Sequence, residues 1–423
     1  MDIILTTGTP RFVMINSSPL EARSIISEKW LFASTVPNVV IYLTTMCNDV
    51  RPVKRQSFRE PSIEWAHWVE SGVARSASFS EYQTVFQTRI IEATDDGMKD
   101  AQNEAVALLQ KGEIVALPTE TVYGLAADAF NPDAVAKIFA AKERPSFDPL
   151  IVHIASFRDL ERVAIVPEDI RETVEQLSNE FWPGPLTIIL PKTPAVPDLV
   201  TSGLPTVGVR QSGHPIFRAI NKALGNPIAA PSANRFGRIS PTSASAVMKE
   251  LGGRIPLIVD AGACAEGLES TIIRIESREG KKPMFYVHRA GPITKEQLQK
   301  FGKVEKVKPG ETLQAPGQLE SHYAPLTPFR LIEKPSDFTP EPGKTYGLLS
   351  YTGEEGGEFV RMHRWDTVVA LSPGSGKLAE AAIRLFYAMR EMDEMGLDEI
   401  IAEPISEVGL GVAIMDRLRR ASA

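Results

Sequence analysis

The sequence predicts an α/β fold in which a large domain with a mixed sheet is followed by a smaller α/β domain. Three observations support this prediction. From about residue 88, short apolar runs typical of buried strands alternate with segments of helical spacing. A stretch with few apolar pairs, 302–328, separates two such regions. The 423 residues, 43% of them hydrophobic, suffice for two or three domains with ordinary cores.

The sequence thus divides into four segments. Residues 1–87 show little regular period, and we expect a poorly structured N-terminal extension. Two explanations of this extension stay open. It could be an upstream extension or the result of a misplaced start codon, or it could be a small accessory or targeting segment. The large domain spans 88–301, the linker or lid 302–328, and the small domain 329–423.

The large domain opens with a predicted helix and strand. Ala105 and Leu109 recur at helical spacing, and Gly112 ends the helix. Residues 113–117 then have the apolar composition of a buried strand. The polar, glycine-containing stretch 119–128 is predicted to be a loop.

A second helix is predicted after that loop. Asn131 can cap its first turn, and Pro132 suits its first position. The apolar pattern runs to Lys142, so Lys142 and Arg144 are expected at the helix exit. Seven further short apolar runs, most bounded by Pro or Gly, are predicted strands: 150–154, 186–190, 206–209, 228–230, 257–259, 271–275 and 285–287.

The small domain shows the same alternation of strands and helices. Two strands and one helix are predicted in it, at 346–350, 399–402 and 378–392 respectively. Its segment 373–378 (PGSGKL) is similar to a phosphate-binding loop, but the glycine spacing is wrong and Leu378 stands where Ser or Thr is needed. We therefore predict a plain turn that opens the helix.

Composition and charge exclude several classes of protein. No run of eighteen apolar residues exists, and the first thirty residues lack a basic start followed by an apolar core, so no membrane span is expected. Cys47 and Cys264 form no CxxC pair, which favours a reducing compartment, the cytoplasm. Of the net charge of −7, residues 332–423 carry −6, so any contact with nucleic acid should fall on the middle of the chain.

The residues that indicate chemistry lie in the large domain. Lys142 and Arg144 place two cations two residues apart, and Ser232 and Asn234 form a small polar pair ninety residues later. Such a set can hold a polyphosphate during attack on its α-phosphorus. The alternatives are a solvated helix end for the two cations and ordinary loop and cap residues for the polar pair.

In its motifs the chain resembles a known enzyme family, the YrdC-like threonylcarbamoyl-AMP synthases in their long, two-domain form. The resemblance covers roughly four fifths of the chain, from about residue 88 to the C-terminus. It is carried by these segments: 118–125 (PTETVYGL), 142–145 (KERP), 149–153 (PLIVH), 182–187 (WPGPLT), 209–210 (VR), 214–215 (HP), 230–234 (APSAN), 269–272 (ESTI), 289–291 (RAG), 321–325 (SHYAP) and 409–414 (GLGVAI). Each is weak alone, whereas their order and spacing are highly specific.

The resemblance implies a fold and a reaction. The large domain would be the YrdC-like catalytic domain, and the small one would be Rossmann-like. The enzyme would be a nucleotidyltransferase that makes L-threonylcarbamoyladenylate from L-threonine, bicarbonate and ATP and releases pyrophosphate. A separate transferase would then modify the adenine next to the anticodon of tRNA. Since no cluster of His, Cys and carboxylates has metal spacing, Mg²⁺ is expected to arrive with ATP.

Site residues are also implied by the resemblance. The expected catalytic residues are Lys142, Arg144, Ser232 and Asn234. The expected ATP-binding residues are Arg144, Asp148, Thr206, Ser232, Asn234, Ser240 and Arg289. The expected threonine-binding residues are Thr121, His153, Arg210 and Ser270, among which Arg210 can hold the carboxylate with two hydrogen bonds.

Several of these residues have simpler explanations that the sequence leaves open. Thr121 could shape a turn, and His153 and Ser270 could be ordinary strand residues. Asp148 departs from the family pattern, which often has Asn before the Pro-Leu pair, and an ionised carboxylate repels phosphate. It could contact Mg²⁺ through water, pair with Lys142 or Arg144, or be an exposed loop carboxylate.

The resemblance implies that the linker residue Tyr323 lies over the site as a lid, and long loops in compact proteins often cover binding sites. The alternative is that it packs the two domains together. For the whole protein, a second functional hypothesis is an RNA-binding or ribosome-associated module without synthase activity.

Overall fold

The computed structural model describes residues 86–94, 97–307 and 322–423, together with the backbone of three short strands nearer the N-terminus. Those strands are Leu5–Thr7 (β1), Leu31–Val36 (β2) and Val39–Leu43 (β3), which form an antiparallel sheet in the order β1-β3-β2. They belong to a separate unit, Met1–Ser78. Of the poorly structured extension predicted at residues 1–87, the structure describes only these strands and residues 86–87, and the rest of that prediction lies outside the described residues.

The large domain is built on one mixed sheet of eleven strands. These are Arg89–Glu92 (β4), Val115–Leu117 (β5), Gly124–Asp128 (β6), Ile151–His153 (β7), Leu186–Pro191 (β8), Thr206–Arg210 (β9), Ile228–Ala229 (β10), Leu257–Asp260 (β11), Thr271–Glu276 (β12), Met284–Arg289 (β13) and Lys303–Lys306 (β14). Their order is β14-β13-β12-β8-β9-β7-β10-β6-β5-β11-β4. Strands β7 and β9 are parallel, whereas β10 is antiparallel to both of its neighbours. The predicted large mixed sheet is confirmed, but its edge strand β14 lies within 302–328, the segment predicted as linker or lid.

Helices cover this sheet. They are Met98–Gln110 (α1), Pro132–Lys142 (α2), Leu160–Val163 (α3), Glu168–Phe181 (α4), Asp198–Thr201 (α5), Pro215–Leu224 (α6), Ala244–Leu251 (α7) and Lys295–Leu298 (α8). Helix α2 begins as predicted: the side chain of Asn131 accepts hydrogen bonds from the backbone of Asp133 and Ala134 at 3.1 Å, and Pro132 is the first helical residue.

One predicted loop is half strand. The stretch 119–128 contains β6 at its end, where residues 124–127 are buried between β5 and β10. Its apolar run, GLAA, was too short to outweigh the polar residues before it. Gly124 is suited to this strand because the backbone segments at residues 124 and 230 approach closely: a Cβ at position 124 would lie 3.3 Å from the Cβ of Ala230.

The small domain is a four-stranded parallel sheet with helices. Its strands are Phe329–Leu331 (β15), Tyr346–Ser350 (β16), Thr367–Ala370 (β17) and Glu399–Ala402 (β18), in the order β15-β18-β16-β17. Its helices are Glu358–Arg361 (α9), Leu378–Asp393 (α10) and Gly411–Ala421 (α11). This topology is consistent with the predicted Rossmann-like domain. None of the helices in the described part of the chain is long and apolar enough to cross a membrane.

The segment similar to a phosphate loop is a turn before α10, as predicted. Ser372 and Ser375 both donate hydrogen bonds to the carboxylate of Glu380, in the first turn of α10. The two serine hydroxyls of this turn are therefore already hydrogen-bonded to a carboxylate of the chain itself.

Candidate functional site

A pocket at the centre of the large sheet brings together residues that are far apart in the sequence. We call it the arginine pocket. It is lined by Thr121, Val122, Arg144, Ile151, His153, Arg210, Ala230, Pro231, Ser232, Glu269, Arg289, His322 and Tyr323. The lining contains three arginines and one carboxylate, which makes the pocket suited to an anionic ligand.

The end of α2 places the first cations of the site. Glu143 ends the helix with a left-handed backbone (φ 54°), and the chain then turns so that Arg144 lines the pocket. Lys142 lies behind the lining, 1% exposed, and its Nζ donates hydrogen bonds to the carbonyls of Ser232 and Asn234. Burial, and then the charge of Arg144, lower the pKa of Lys142 well below its usual value.

Arg144 is held from behind by the loop that follows it. Its guanidinium donates to the carbonyls of Asp148 and Pro149, at 3.1 and 2.9 Å. Its Nη2 also lies 2.9 Å from Oδ2 of Asp148, in an ion pair whose angle is poor for a hydrogen bond. Of the roles predicted for Asp148, the structure thus shows pairing with Arg144. Burial raises the pKa of this carboxyl, and the nearby cations oppose the rise.

The loop after β10 contributes Ser232 to the lining and Asn234 to its support. The side-chain amide of Asn234 donates to the carbonyls of Arg235 and Arg238, at 2.7 and 2.8 Å. Its Oδ1 is buried without a hydrogen-bond partner among the described residues. Asn234 and Lys142 therefore fix the shape of the loop that presents Ser232, and neither lines the pocket itself.

Arg210, at the end of β9, is held by a carboxylate that the sequence analysis missed. Its Nη2 donates to Oε1 of Glu120 at 2.6 Å and to Oγ1 of Thr121 at 3.0 Å. The other oxygen of Glu120 accepts a hydrogen bond from Ser212 at 2.6 Å. Burial disfavours the charged form of Glu120, but Arg210 and these hydrogen bonds outweigh it and lower the pKa to about 2. Its role could have been suspected from the sequence, because Glu120 is the acidic residue of the motif at 118–125.

His153 lines the pocket as a neutral ring. Its ring centroid lies 4.8 Å from that of Phe217, and its Nδ1 has no hydrogen-bond partner among the described residues. Burial, and then the positive charge of Arg210, lower its pKa to about 3. His153 can therefore offer a hydrogen bond to a ligand but no charge at neutral pH.

Ser270 and Arg289 are joined on the other side of the pocket. Arg289 donates to the backbone carbonyl of Ser270 at 3.1 Å and to its hydroxyl at 3.0 Å. The hydroxyl of Ser270 also lies 2.8 Å from that of Thr187. Ser270 is fully buried and lies behind the lining, whereas Arg289 faces the pocket.

Two predicted nucleotide contacts are placed elsewhere. Ser240 lies behind the lining, where its hydroxyl donates to Glu269 at 2.6 Å. Thr206, at the start of β9, lines a separate small cavity with Leu150 and Thr201. Thr206 and Arg210 stand at opposite ends of β9, and the side chains of a strand point alternately to its two faces. Sequence order alone does not show which end or face borders the pocket. The structure therefore does not bring Thr206 together with the other predicted residues.

Tyr323 closes the pocket and also contacts the small domain. It is fully buried, its backbone is left-handed (φ 67°), and its ring stacks on Phe386 of α10 at 5.4 Å. His322 donates its backbone N–H to the carbonyl of Arg420 in α11, at 3.1 Å. Tyr323 thus has the contacts expected of a lid and also those expected of a residue that packs the two domains together.

The pocket as closed by Tyr323 is small. Its free volume is about 40 Å³, whereas sites for drug-sized ligands occupy about 300–1,000 Å³. A nucleotide can enter only when the lining widens. The described residues contain no group of three His, Cys, Asp or Glu side chains placed to hold a metal ion.

Comparisons with known proteins agree with this architecture. A family model described as "Telomere recombination" (Sua5, YciO and YrdC) matches residues 107–291, and one described as "Threonylcarbamoyl-AMP synthase, C-terminal domain" matches residues 293–423. Threonylcarbamoyl-AMP synthase from Pyrococcus abyssi is 40% identical over 75% of this chain and 93% of its own length. The Bacillus subtilis enzyme of that name is 40% identical over 78% of this chain and 96% of its own.

Solved structures are similar over the same region. One of P. abyssi Sua5 complexed with L-threonine has a TM-score of 0.68 and 37% identity, covering 79% of this chain and 97% of that one. One of a variant of that protein with a His and a Tyr replaced by Ala has a TM-score of 0.69 and 38% identity, covering 79% and 96%. The chain belongs to the two-domain threonylcarbamoyl-AMP synthase family.

Membership of this synthase family confirms the resemblance drawn from the motifs, the two-domain α/β fold and the assignment as a transferase. The hypothesis of an RNA-binding module without synthase activity is not favoured, because the relatives that span both domains are named as synthases. Three residues of this region were not predicted from the sequence: Glu120, Glu269 as a pocket residue, and Arg417. The signal for Arg417 is a cation on the apolar side of α11, three residues after Ile414 and four before Ala421.

Proposed function

We propose that the protein condenses L-threonine, bicarbonate and ATP into L-threonylcarbamoyladenylate with release of pyrophosphate. The observation that carries the proposal is the convergence of Arg144, Arg210 and Arg289 with Ser232 on one pocket, in a chain whose relatives are named as this synthase. The reaction brings anions together, since the carbamate, the threonine carboxylate and the triphosphate are all negative. Fixed cations reduce this repulsion.

The chemistry has two steps. The threonine amine first forms a carbamate, either by attack on CO₂ with loss of a proton or by condensation with bicarbonate with loss of water. A carbamate oxygen then attacks the α-phosphorus of ATP, forming the mixed anhydride as the bond to pyrophosphate breaks. Positioning and electrostatic stabilisation supply most of the rate in such phosphoryl chemistry. Mg²⁺, bound to the phosphates with most of its waters, would add positive charge to the leaving group.

The pocket residues divide between the two substrates in this proposal. Arg144 and Arg289 face the phosphates, and Ser232 donates a hydrogen bond to the reacting oxygens. Lys142 and Asn234 act from behind by holding the loop that carries Ser232.

The threonine carboxylate would bind Arg210, whose orientation Glu120 and Thr121 fix. The neutral ring of His153 would border the same substrate. Support comes from the P. abyssi relative, whose structure is described as complexed with L-threonine. Since the small free volume excludes a nucleotide, the segment that carries Tyr323 would open for entry and close for the reaction.

The remaining parts of the proposal concern the cell. The adenylate would be used by a threonylcarbamoyl transferase that modifies tRNA next to the anticodon, and a cytoplasmic location would suit that supply. Any contact of tRNA or RNA with this protein is expected on the large domain, because residues 332–423 carry a net charge of −6.

The test is mass spectrometry of the product formed from ATP, bicarbonate and labelled threonine, with pyrophosphate measured in parallel. The expected product contains the label, and pyrophosphate release requires both threonine and bicarbonate. If tight RNA binding is found and no pyrophosphate is released, the synthase proposal is overturned.

A further inference from the structure

The small domain contributes a buried charge beneath the arginine pocket. Arg417 of α11 is fully buried. Its Nε donates to Oε2 of Glu269 at 3.1 Å, and its Nη1 donates to the carbonyl of Ala290 at 2.7 Å. Glu269 and Ala290 belong to the large domain, so this guanidinium joins the two domains at the back of the pocket. Its Nη1 also donates to Oδ2 of Asp416, on its own helix, at 2.9 Å.

Glu269 is a negative charge in a pocket built for anions. It lines the pocket, and its Oε1 accepts a hydrogen bond from Ser240 at 2.6 Å. Its burial opposes ionisation, yet the charges of Arg417 and then Arg289 lower its pKa to about 2. Glu269 is therefore ionised, and without a balancing cation it would repel a phosphate and attract the nearby guanidinium of Arg289.

Arg417 also contacts the proposed lid. Its guanidinium carbon lies 5.4 Å from the ring centroid of Tyr323, and Phe386 stacks on the same ring. Contacts between a guanidinium and an aromatic face are stabilising, more so when both groups are desolvated. One side chain of the small domain thus touches both the carboxylate and the aromatic ring that border the pocket.

We propose that Arg417 is a positioning residue of the synthase reaction, which balances the charge of Glu269 and fixes the ring of Tyr323. The arginine pocket then binds the nucleotide phosphates tightly only when the small domain is docked. This inference rests on the proposed function and extends it, because it makes the small domain part of nucleotide binding through a charge that never touches the substrate.

The chain offers a matched control. Arg390 of α10 also joins the domains: its Nη1 lies 2.9 Å from Oε1 of Glu250, and its Nη2 donates to the carbonyl of Ile239 at 2.8 Å. Neither Arg390 nor Glu250 lines the pocket. Arg390→Gln therefore weakens docking but changes no charged group that lines the pocket, and Glu250 keeps Arg235 as a cationic partner, 3.5 Å away.

The experiment compares Arg417→Gln with Arg390→Gln by KM for ATP, at saturating threonine and bicarbonate, and by Tm. Both variants should lower Tm. We expect Arg417→Gln to raise KM for ATP about tenfold or more, because a buried carboxylate loses its partner, and Arg390→Gln to change it less than about threefold. Equal KM values for the two variants would show that docking alone matters and would overturn the proposal.

A rescue separates charge balance from packing. In the background of Arg417→Gln, the second substitution Glu269→Gln keeps an acceptor for Ser240 but removes the unbalanced charge. We expect KM for ATP to recover most of its rise. A purely structural role predicts no recovery, so a double variant as poor as Arg417→Gln contradicts the inference.

Two measurements keep the result interpretable. If Arg417→Gln yields no folded protein, Arg417→Lys is the second variant: it keeps a positive charge beside Glu269, so charge balance predicts a KM for ATP within about threefold of the wild type, and a tenfold rise would contradict the inference. AMP binding by calorimetry reports the affinity of the pocket without turnover, and in Arg417→Gln it should weaken in parallel with the rise in KM. If the wild-type protein makes no adenylate, the proposed function is wrong. If the wild type is active and Arg417→Gln binds AMP with unchanged affinity, only the role of Arg417 is wrong.

Discussion

Arg210 and Glu120 form a buried ion pair, with Nη2 of the arginine 2.6 Å from Oε1 of the glutamate. Their side chains are 4% and 13% exposed, so solvent screens the pair weakly. Ser212 donates to the second oxygen of Glu120 and fixes its orientation. The arginine proposed to bind the threonine carboxylate is thus held in place before any substrate arrives. Such pre-organisation lowers the cost of binding.

This pair makes folding stability sensitive to acid. The pKa values of Glu120 and Glu269 are about 2 in the folded protein, below the ordinary value of 4.5. Their contribution to the free energy of unfolding is therefore present above pH 4.5 and is lost as pH falls toward 2, because in this range the unfolded chain binds more protons than the folded protein. His153 and His322, whose pKa values fall from 6.5 to about 3, act in the same direction from pH 6.5 downward.

We expect Tm to decline as pH falls below about 6.5 and more steeply below about 4.5. Melting curves from pH 8 to 3 measure this decline. Glu120→Gln should lower Tm at neutral pH and flatten the decline below pH 4.5, whereas Glu172→Gln on the exposed face of α4 should change neither. A parallel decline in the Glu120 variant and the wild type would contradict the assignment.

Arg144→Ala should reduce turnover about 10²–10³-fold, the usual cost of removing one donor that stabilises developing charge. Steady-state pyrophosphate release measures this. Because the substitution leaves Asp148 as a buried, unpaired carboxylate, the double variant Arg144→Ala/Asp148→Asn is the control for stability. It should recover Tm but not turnover. Near-normal turnover in either variant would remove Arg144 from the mechanism.

Lys142→Ala should reduce turnover about 10²-fold, the cost of misplacing a group that contacts the reacting atoms. Its ammonium holds the carbonyls of Ser232 and Asn234, so its loss should lower Tm as well as turnover. Lys142→Met, which keeps much of the buried volume, should restore part of the Tm and little of the activity. Full activity in the methionine variant would mean that Lys142 only fills space.

Tyr323→Ala tests whether the linker tyrosine is a lid. Since its ring borders the pocket and stacks on Phe386, we expect both a lower Tm and a larger fraction of adenylate lost to hydrolysis. Tyr323→Phe keeps the stacking and removes the hydroxyl, which has no hydrogen-bond partner among the described residues. It should retain Tm and most of the product yield. A purely thermal defect in the alanine variant would contradict the lid.

Truncation tests the predicted extension. Removal of residues 1–85 keeps Phe86, whose backbone N–H donates to Gly253 at 3.0 Å, and β4, which pairs in parallel with β11. We expect little change in Tm or synthase activity. Removal of residues 1–92 takes β4 away and exposes the edge of β11, so Tm should fall. Insoluble protein after the shorter truncation would show that the extension is needed.

The sequence by itself determined the family, the order of the main elements and most of the side chains that converge on the pocket. Motifs such as 118–125 and 230–234 are local, and the cap at Asn131 depends only on neighbouring residues. Short apolar runs therefore predicted most strands of the large sheet. Strand β6 was mistaken for a loop because its partners, β5 and β10, are separated from each other by more than a hundred residues of sequence.

Only the tertiary structure decided which of the predicted residues face the pocket and which stand behind it. Arg144 and Ser232 line it, whereas Lys142 supports from behind and Thr206 lies at another cavity. Spacing along the chain does not encode these distances, since each depends on the packing of several elements. The pairing of Arg417 with Glu269 spans 148 residues and two domains. The partner of a buried charge can come from any part of the chain that the fold places beside it, because burying a charge without a partner costs several kcal/mol of desolvation free energy.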